Sequence, residues 1–189
     1  MEYIVFLLSA LKDLVERLRN LKRDQLEDKQ ILFNEVVKPL FDDLQPVAIN
    51  YMEIFRMARK IIVEGPDQYS LFSATMIRKQ REEKLMERTK VSEMARQIII
   101  HIKDPDVVDF AKAITYFFFA DPEDEKQSRR TYEFVRKLND PEFRRHGQVV
   151  QYIDDTLSIL IEEWAKIVAS YEKLKIHALA PEKYVNKKK

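Results

Sequence analysis

Residues 33–61 read FNEVVKPLFDDLQPVAINYMEIFRMARKI, and this stretch decides the fold. Apolar residues recur along it at alternating steps of four and three. A period of 3.5 residues keeps one apolar row on the side of a helix that faces a partner helix, here over ~42 Å. The stretch therefore predicts a long helix with a coiled-coil-type row at Phe33, Val37, Leu40, Leu44, Val47, Tyr51, Ile54, Ala58 and Ile61.

Two prolines, Pro39 and Pro46, lie inside this stretch. They are seven residues apart, so they share one flank of the helix beside the apolar row. Because proline lacks an N–H group and crowds the preceding turn, each one predicts a kink or a short break that leaves the row intact. Gly65 and Pro66, just beyond the stretch, predict the end of the helix.

A second long helix is predicted at about residues 148–177. It repeats the spacing of the first, which makes residues 25–62 and 148–177 partners in a bundle. Residues 178–189 have no apolar periodicity and end in three lysines, so they predict a disordered basic tail. The apolar row of the second helix comprises Val150, Ile153, Leu157, Leu160, Trp164, Ile167, Tyr171 and Leu174.

The N-terminal region predicts one more helix. The apolar run Tyr3–Leu11 is too short to span a bilayer, which takes ~20 apolar residues, and no basic segment precedes it. We interpret it as a helix that packs in the core; a membrane-perturbing helical bundle is an alternative that depends on this run alone. The row of this helix comprises Leu7, Leu11, Leu14, Leu18 and Leu21.

Three Asp-Pro-acid tripeptides, at residues 104–106, 121–123 and 140–142, predict helix starts. Asp accepts hydrogen bonds from free N–H groups, Pro fits the first turn, and the acid faces the positive end of the helix dipole. The segment Asp106–Ala120 is apolar on nearly every side, which indicates a helix buried in the core or in an interface. The highly charged residues 78–90 predict an exposed helix or a connection.

The composition favours an all-α protein. Tight hairpins need glycine or asparagine at positive φ, and only two glycines occur in 189 residues. The predicted fold is an all-α, elongated helical bundle with two long heptad-patterned helices and several short helices between them. Residues 1–177 form its single domain and residues 178–189 form the tail.

Composition also excludes several kinds of chemistry. The chain has no cysteine, which excludes disulfides, thiolate nucleophiles and cysteine-ligated metals and predicts a cytoplasmic protein. A net charge of +1 provides no global attraction for nucleic acid or membranes. The Glu-x-x-His motif of di-metal bundles is missing before all three histidines, and two glycines cannot build a phosphate loop. We therefore predict no metal and no cofactor, and we identify no small-molecule substrate.

The hexapeptide Arg96-Gln97-Ile98-Ile99-Ile100-His101 resembles the Arg-x4-6-His signature of the HEPN family, which consists of all-helical, metal-independent ribonucleases. The resemblance covers six residues and has Gln97 where Asn, Asp or His is commoner. It implies that Arg96 and His101 converge on an RNA phosphodiester in a dimer cleft, where His exchanges a proton and Arg holds phosphate. In the competing interpretation, Arg96 is a solvated helix residue and His101 is a helix C-terminal histidine near Asp104. The isoleucines around His101 favour its burial.

A second candidate is a basic and aromatic zone that would track a phosphate backbone and stack bases if its members fold together. Acidic residues dilute its charge, so an ordinary solvated helix face is the competing interpretation. The candidate nucleic-acid-binding residues are Arg129, Arg130, Arg136, Lys137, Arg144 and Arg145.

Fold alone does not give function. Long apolar helices leave a surface that a partner covers, so we predict a non-enzymatic helical protein–protein interaction or scaffold protein. Self-association, most simply as a homodimer, is the expected mode. The alternative from the enzyme class is the HEPN-like ribonuclease, whose partner would be RNA.

Overall fold

The computed structural model describes residues 28–64, 82–119, 130–138, 140, 142–143 and 146–180, together with Ser9, Lys12, Val15, Glu16, Thr75 and Lys79. The regular elements in these ranges are helical, so the protein is an all-α helical bundle. They are α1 (Lys29–Leu32), a π-helical turn (Phe33–Val37), α2 (Lys38–Glu64), α3 (Leu85–His101), α4 (Pro105–Phe118), α5 (Arg130–Lys137) and α6 (His146–Leu179).

Several sequence predictions fall outside the described residues. These are the leucine row between residues 7 and 21, the run Tyr3–Leu11 apart from Ser9, the Gly65-Pro66 stop, the tripeptide at 121–123 and the tail from residue 181 onward. Among the described residues of the N-terminal region, Ser9, Lys12, Val15 and Glu16 are helical, and Lys12 lies 3.6 Å from Glu16.

α1, the π-helical turn and α2 form one continuous helical segment, which we call the first long helix. It begins after Asp28, whose carboxylate accepts hydrogen bonds from the N–H groups of Gln30 and Ile31. The π-helical turn then precedes Pro39, which cannot donate to the carbonyl of Glu35 and would crowd it in a regular α-helix. The wider turn relieves this conflict, and the N–H of Lys38 bonds instead to the carbonyl of Phe33. The helix continues from there through Pro46 to Glu64.

The predicted apolar row of the first long helix lies in the core. Eight of its nine members are buried, and Ile62 is buried in place of the half-buried Ile61. A second row, at Ala48, Met52 and Phe55, is buried beside it. Two adjacent buried rows make a face wider than a coiled-coil seam, so α2 contacts several helices at once.

The two long helices are partners, as the sequence predicts, and the structure shows that they run antiparallel. Phe41, near the start of α2, stacks on Tyr171, near the end of α6, with ring centroids 3.9 Å apart. At the opposite end, Arg59 donates to Asp154 over 2.6 Å. The predicted row of α6 faces the core, with Val150, Leu157 and Trp164 only half-buried.

The helix α6 ends at Leu179, two residues beyond the predicted end. Ala178, which the sequence assigns to a disordered tail, is helical and buried. Its small side chain lies four residues after Leu174 and therefore continues the inward row by one more turn.

The helix α4 begins as predicted, with the carboxylate of Asp104 accepting from the N–H of Val107 over 3.1 Å and Pro105 in the first turn. The segment lies in the core, as predicted, but it is not buried on every side. Asp109, Lys112 and Tyr116 are exposed at helical spacing, so α4 keeps one strip in solvent while its other faces lie in the core.

The prediction of an exposed charged stretch at residues 78–90 is wrong at Arg88. This residue is fully buried, with its guanidinium 5.6 Å from the ring centroid of Tyr51 and one N–H group 3.4 Å from the side-chain oxygen of Asn50. Arg88 lies one turn before the buried Ser92 on α3, so helical spacing turns it toward α2.

A buried hydroxyl joins three helices at the centre of the bundle. The hydroxyl of Tyr51 on α2 donates to the carbonyl of Phe118 at the end of α4, over 3.0 Å. It also accepts from the N–H of Thr131 in the first turn of α5, over 3.2 Å. Both partners are helix-end groups that lack an intrahelical bond, so Tyr51 satisfies them and fixes where α5 begins.

The helix start predicted at residues 140–142 is wrong. The carboxylate of Asp140 accepts from the N–H of Glu142 two residues on, which closes a local turn at residues 142–143. An Asp side chain forms such a turn as readily as it caps a helix. The next helix begins only at His146.

Candidate functional site

Arg96 and His101, the candidate catalytic pair, both lie on α3. The guanidinium of Arg96 lies over the ring of Phe119, 5.3 Å from its centroid, and 3.7 Å from the carboxylate of Glu93. His101 is the last residue of the helix and is exposed. Five positions on a helix correspond to ~140° of rotation, so the two side chains do not meet within one chain.

The expectation that the isoleucines bury His101 is wrong. Ile98 and Ile102, four residues apart, are buried, whereas Ile100 between them is exposed. His101 therefore lies on the side of α3 that leaves the core. It sits at a helix C-terminus, as the competing interpretation proposes.

The described members of the basic zone are held by contacts within the protein. Arg130 donates to the carboxylate of Glu163 over 2.8 Å and to the carbonyl of Tyr116 over 3.2 Å. Arg136 pairs with Glu133, and the ammonium group of Lys137 lies 5.5 Å from the ring centroids of both Phe143 and Tyr152. Arg129, Arg144 and Arg145 lie outside the described residues.

The Arg130–Glu163 pair links α5 to α6 in a partly desolvated place, with side chains 12% and 19% exposed. Burial raises the pKa of Glu163 above its usual value, and the charge of Arg130 opposes this shift. The second carboxylate oxygen of Glu163 and the Nε of Arg130 form no hydrogen bond. This geometry suits a structural link between helices, since the guanidinium of Arg130 and the carboxylate of Glu163 already form an ion pair with each other.

A small cleft lies where α1, the start of α4 and the end of α6 meet. Its floor is apolar, its rim includes Lys29, Asp106 and His177, and its empty space is about 260 Å³. Lys173 donates to Asp106 over 2.8 Å, which lowers the pKa of that carboxyl below its usual value. The Nδ1 atom of His177 lies 3.6 Å from the other oxygen of Asp106. Part of this space is open to solvent, and the carboxylate of Asp106 is already bound by Lys173, so the cleft lacks the free polar groups of a ligand pocket.

The longest helix also carries apolar residues on a side that faces solvent. We name this row the outer stripe of α6, and it recurs at steps of four and three like the inward row. Among its members, Ile161 is 52% exposed, Ile176 is 63% exposed and Leu179 is 61% exposed. The stripe comprises Ile161, Ala165, Val168, Glu172, Ile176 and Leu179.

The outer stripe is not among the predictions made from the sequence, because the inward row of α6 accounts for the strict heptad spacing and the remaining apolar residues were not assigned to a surface. The two rows are about 100° apart, since Ile161 directly follows the buried Leu160. The sequence does contain an indication of the stripe, because Ile161, Ile176 and Leu179 are apolar and do not belong to the inward row. Three of the exposed large apolar side chains, Ile161, Ile176 and Leu179, lie in this row.

Comparisons with known proteins match no family model, no curated protein and no solved structure. Within the described residues, no group of three or more His, Asp or Glu side chains could hold a metal ion. None of the described helices has both the length and the apolar character that a membrane crossing requires.

Proposed function

We propose that the chain is a non-enzymatic helical interaction protein that associates with a second copy of itself. The observation that supports this is the outer stripe of α6. Within the part of the chain that the structure describes, α2 and α4 cover the inward side of α6, while Ile161, Ile176 and Leu179 of the outer stripe are exposed. Water contact with such a row is unfavourable by roughly 25 cal/mol per Å² of apolar surface, which association would recover.

The stripe has the properties of an interaction surface. It spans 19 residues, or ~27 Å of helix, and its one charged member is Glu172. Glu172 lies 3.3 Å from Lys175 on the same helix, so its charge is partly offset. Single exposed apolar residues are ordinary on protein surfaces, whereas several on one side of a helix are more typical of a partner site.

A cytoplasmic location belongs to the same proposal. A chain without cysteine gains nothing from an oxidising compartment. The basic zone and the Arg96–His101 pair give less support to an RNA-directed function, because their described members are engaged within the protein or point apart.

Light scattering coupled to size exclusion tests self-association. Wild type is expected near twice the chain mass of 22.6 kDa. Ile161→Glu and Ile176→Glu, which place a charge in the stripe, are expected to shift the mass toward one chain. Ile100→Glu is the matched control, since Ile100 is also exposed but lies on α3. A concentration-independent monomer of the wild type would refute the proposal.

A further inference from the structure

Two aromatic rings form a corner beside the end of α5. Phe143 lies in the turn before α6, and Tyr152 lies in the second turn of that helix. Their ring centroids are 5.4 Å apart and their planes meet at 83°. Two nearly perpendicular rings can contact one small group at the same time, as the walls of an aromatic cage do. We call Phe143 and Tyr152 the aromatic corner.

A cation already lies at this corner. The ammonium group of Lys137, the last residue of α5, lies over both rings, 5.5 Å from the centroid of Phe143 and 5.5 Å from that of Tyr152. Both distances are within the ~6 Å at which the quadrupole of an aromatic ring attracts a positive charge. The position of Lys137 therefore shows which chemistry the corner accepts, namely an organic ammonium group.

The corner is supported from the core and accessible from solvent. Phe134, which is fully buried, stacks on Tyr152 with ring centroids 5.8 Å apart and planes 11° apart. Lys137 is exposed, and Phe143 and Tyr152 are each partly exposed. A solute can therefore reach the rings when the flexible side chain of Lys137 swings away, while Phe134 keeps the ring of Tyr152 in place.

A lysine is a weak occupant of such a corner. Its ammonium group is compact and strongly hydrated, so it loses little by returning to water. A quaternary ammonium group has no N–H donors and gives up less hydration when it moves onto aromatic rings, which is why aromatic cages recognise this class of ligand. A cation of this class can compete with Lys137, whereas a neutral molecule of the same shape gains nothing from the ring quadrupoles.

We propose that the aromatic corner of Phe143 and Tyr152 binds a small quaternary ammonium compound of the choline class, which displaces the side chain of Lys137. Lys137 is then an internal competitor that lowers the affinity of the corner for this ligand. The site lies within one chain, so it does not depend on the self-association proposed above.

Nuclear magnetic resonance of protein with isotope-labelled phenylalanine and tyrosine tests the site, with choline as the probe. In the wild type, choline is expected to shift the ring signals of Phe143 and Tyr152 saturably. Lys137→Ala removes the competitor and is expected to bind choline ~2–5-fold more tightly, which corresponds to one exposed cation–π contact. Lys112→Ala, which removes an exposed lysine on α4, is the matched control and is expected to bind choline as the wild type does.

Two further arms separate charge from shape and this corner from other aromatic surfaces. The neutral analogue of choline, in which a tert-butyl group replaces the trimethylammonium group, is expected to leave the ring signals unchanged. Phe143→Leu keeps apolar bulk but removes one ring, so it is expected to lose most of the choline binding while circular dichroism shows that the fold is retained.

Three results would overturn the proposal. The corner is not a cation site if choline leaves the Phe143 and Tyr152 signals of Lys137→Ala unchanged. It is a general apolar surface if the neutral analogue shifts these signals as much as choline does. Lys137 is not a competitor if Lys137→Ala and the wild type bind choline with equal affinity.

Discussion

Replacing Tyr51 by Phe removes one buried oxygen and leaves the ring, so it isolates the hydrogen bonds that join α2, α4 and α5. The ring is fully buried and packs against Phe55, Phe117 and Phe118, with centroid distances of 5.2 to 6.0 Å. Phe occupies the same space, so the substitution opens no large cavity. The change in stability then reports on the hydroxyl alone.

The expected loss is about 2–4 kcal/mol of unfolding free energy. The substitution leaves the carbonyl of Phe118 and the N–H of Thr131 without the Tyr51 oxygen, and both residues are almost completely buried. Each buried polar group left unsatisfied costs ~1–3 kcal/mol, which is more than the net gain of an ordinary hydrogen bond. Burial also raises the pKa of Tyr51, so the hydroxyl keeps its proton and acts as a donor throughout the neutral range.

Urea denaturation followed by circular dichroism measures this loss. Tyr132→Phe is the matched control, because Tyr132 lies on α5 next to Thr131 but is 54% exposed. Its hydroxyl contacts water, so its removal is expected to change stability by less than ~0.5 kcal/mol. Equal effects of the two substitutions would mean that water reaches the helix junction, and the reasoning about orphaned groups would then be wrong.

Three further predictions test the core, an ion pair and the candidate catalytic residues. Leu44→Ala, at a fully buried position, is expected to cost ~2–5 kcal/mol in urea denaturation, and Leu157→Ala less because Leu157 is half-buried; equal costs would contradict this difference. Because Lys173 lowers the pKa of Asp106 below 3.8, the stability from this pair is present above that pH and is lost as pH falls through the folded pKa. Asp106→Asn is therefore expected to cost up to ~1 kcal/mol near neutral pH and progressively less under acid, and a pH-independent cost would contradict the pair. Wild type, Arg96→Ala and His101→Ala are all expected to leave RNA intact in buffer containing a chelator, whereas cleavage by the wild type that both variants lose would establish the ribonuclease alternative.

Apolar spacing was sufficient to predict the long helices and their partnership. The row from Phe33 to Ala58 is buried on both sides of the two prolines. Each helical turn carries its own apolar residue on the side that faces the core, so the pattern can be recognised turn by turn. The π-helical turn before Pro39 could not be predicted in the same way. Proline dictates only that the carbonyl of Glu35 loses its donor; a kink, a break and a wider turn all meet that condition.

Charged residues were harder to place than apolar ones. Arg88 belongs to a stretch rich in both signs of charge, and composition alone assigns such a residue to solvent. Its burial depends on the side-chain amide oxygen of Asn50 and the ring of Tyr51, which come from a helix almost 40 residues earlier in the chain. Sequence spacing along α3 carries no information about those partners.

The outer stripe of α6 shows why a surface is less predictable than a core. Ile161, Ile176 and Leu179 each follow a residue that belongs to the inward side of the helix or its edge, so in sequence they look like the margin of a broad core face. Whether a margin is buried depends on how many neighbours the helix acquires. Here α2 and α4 cover adjoining sides of α6, and the remaining side keeps its apolar residues in contact with water. A row of this kind can be recognised only after the helices that contact α6 are assigned.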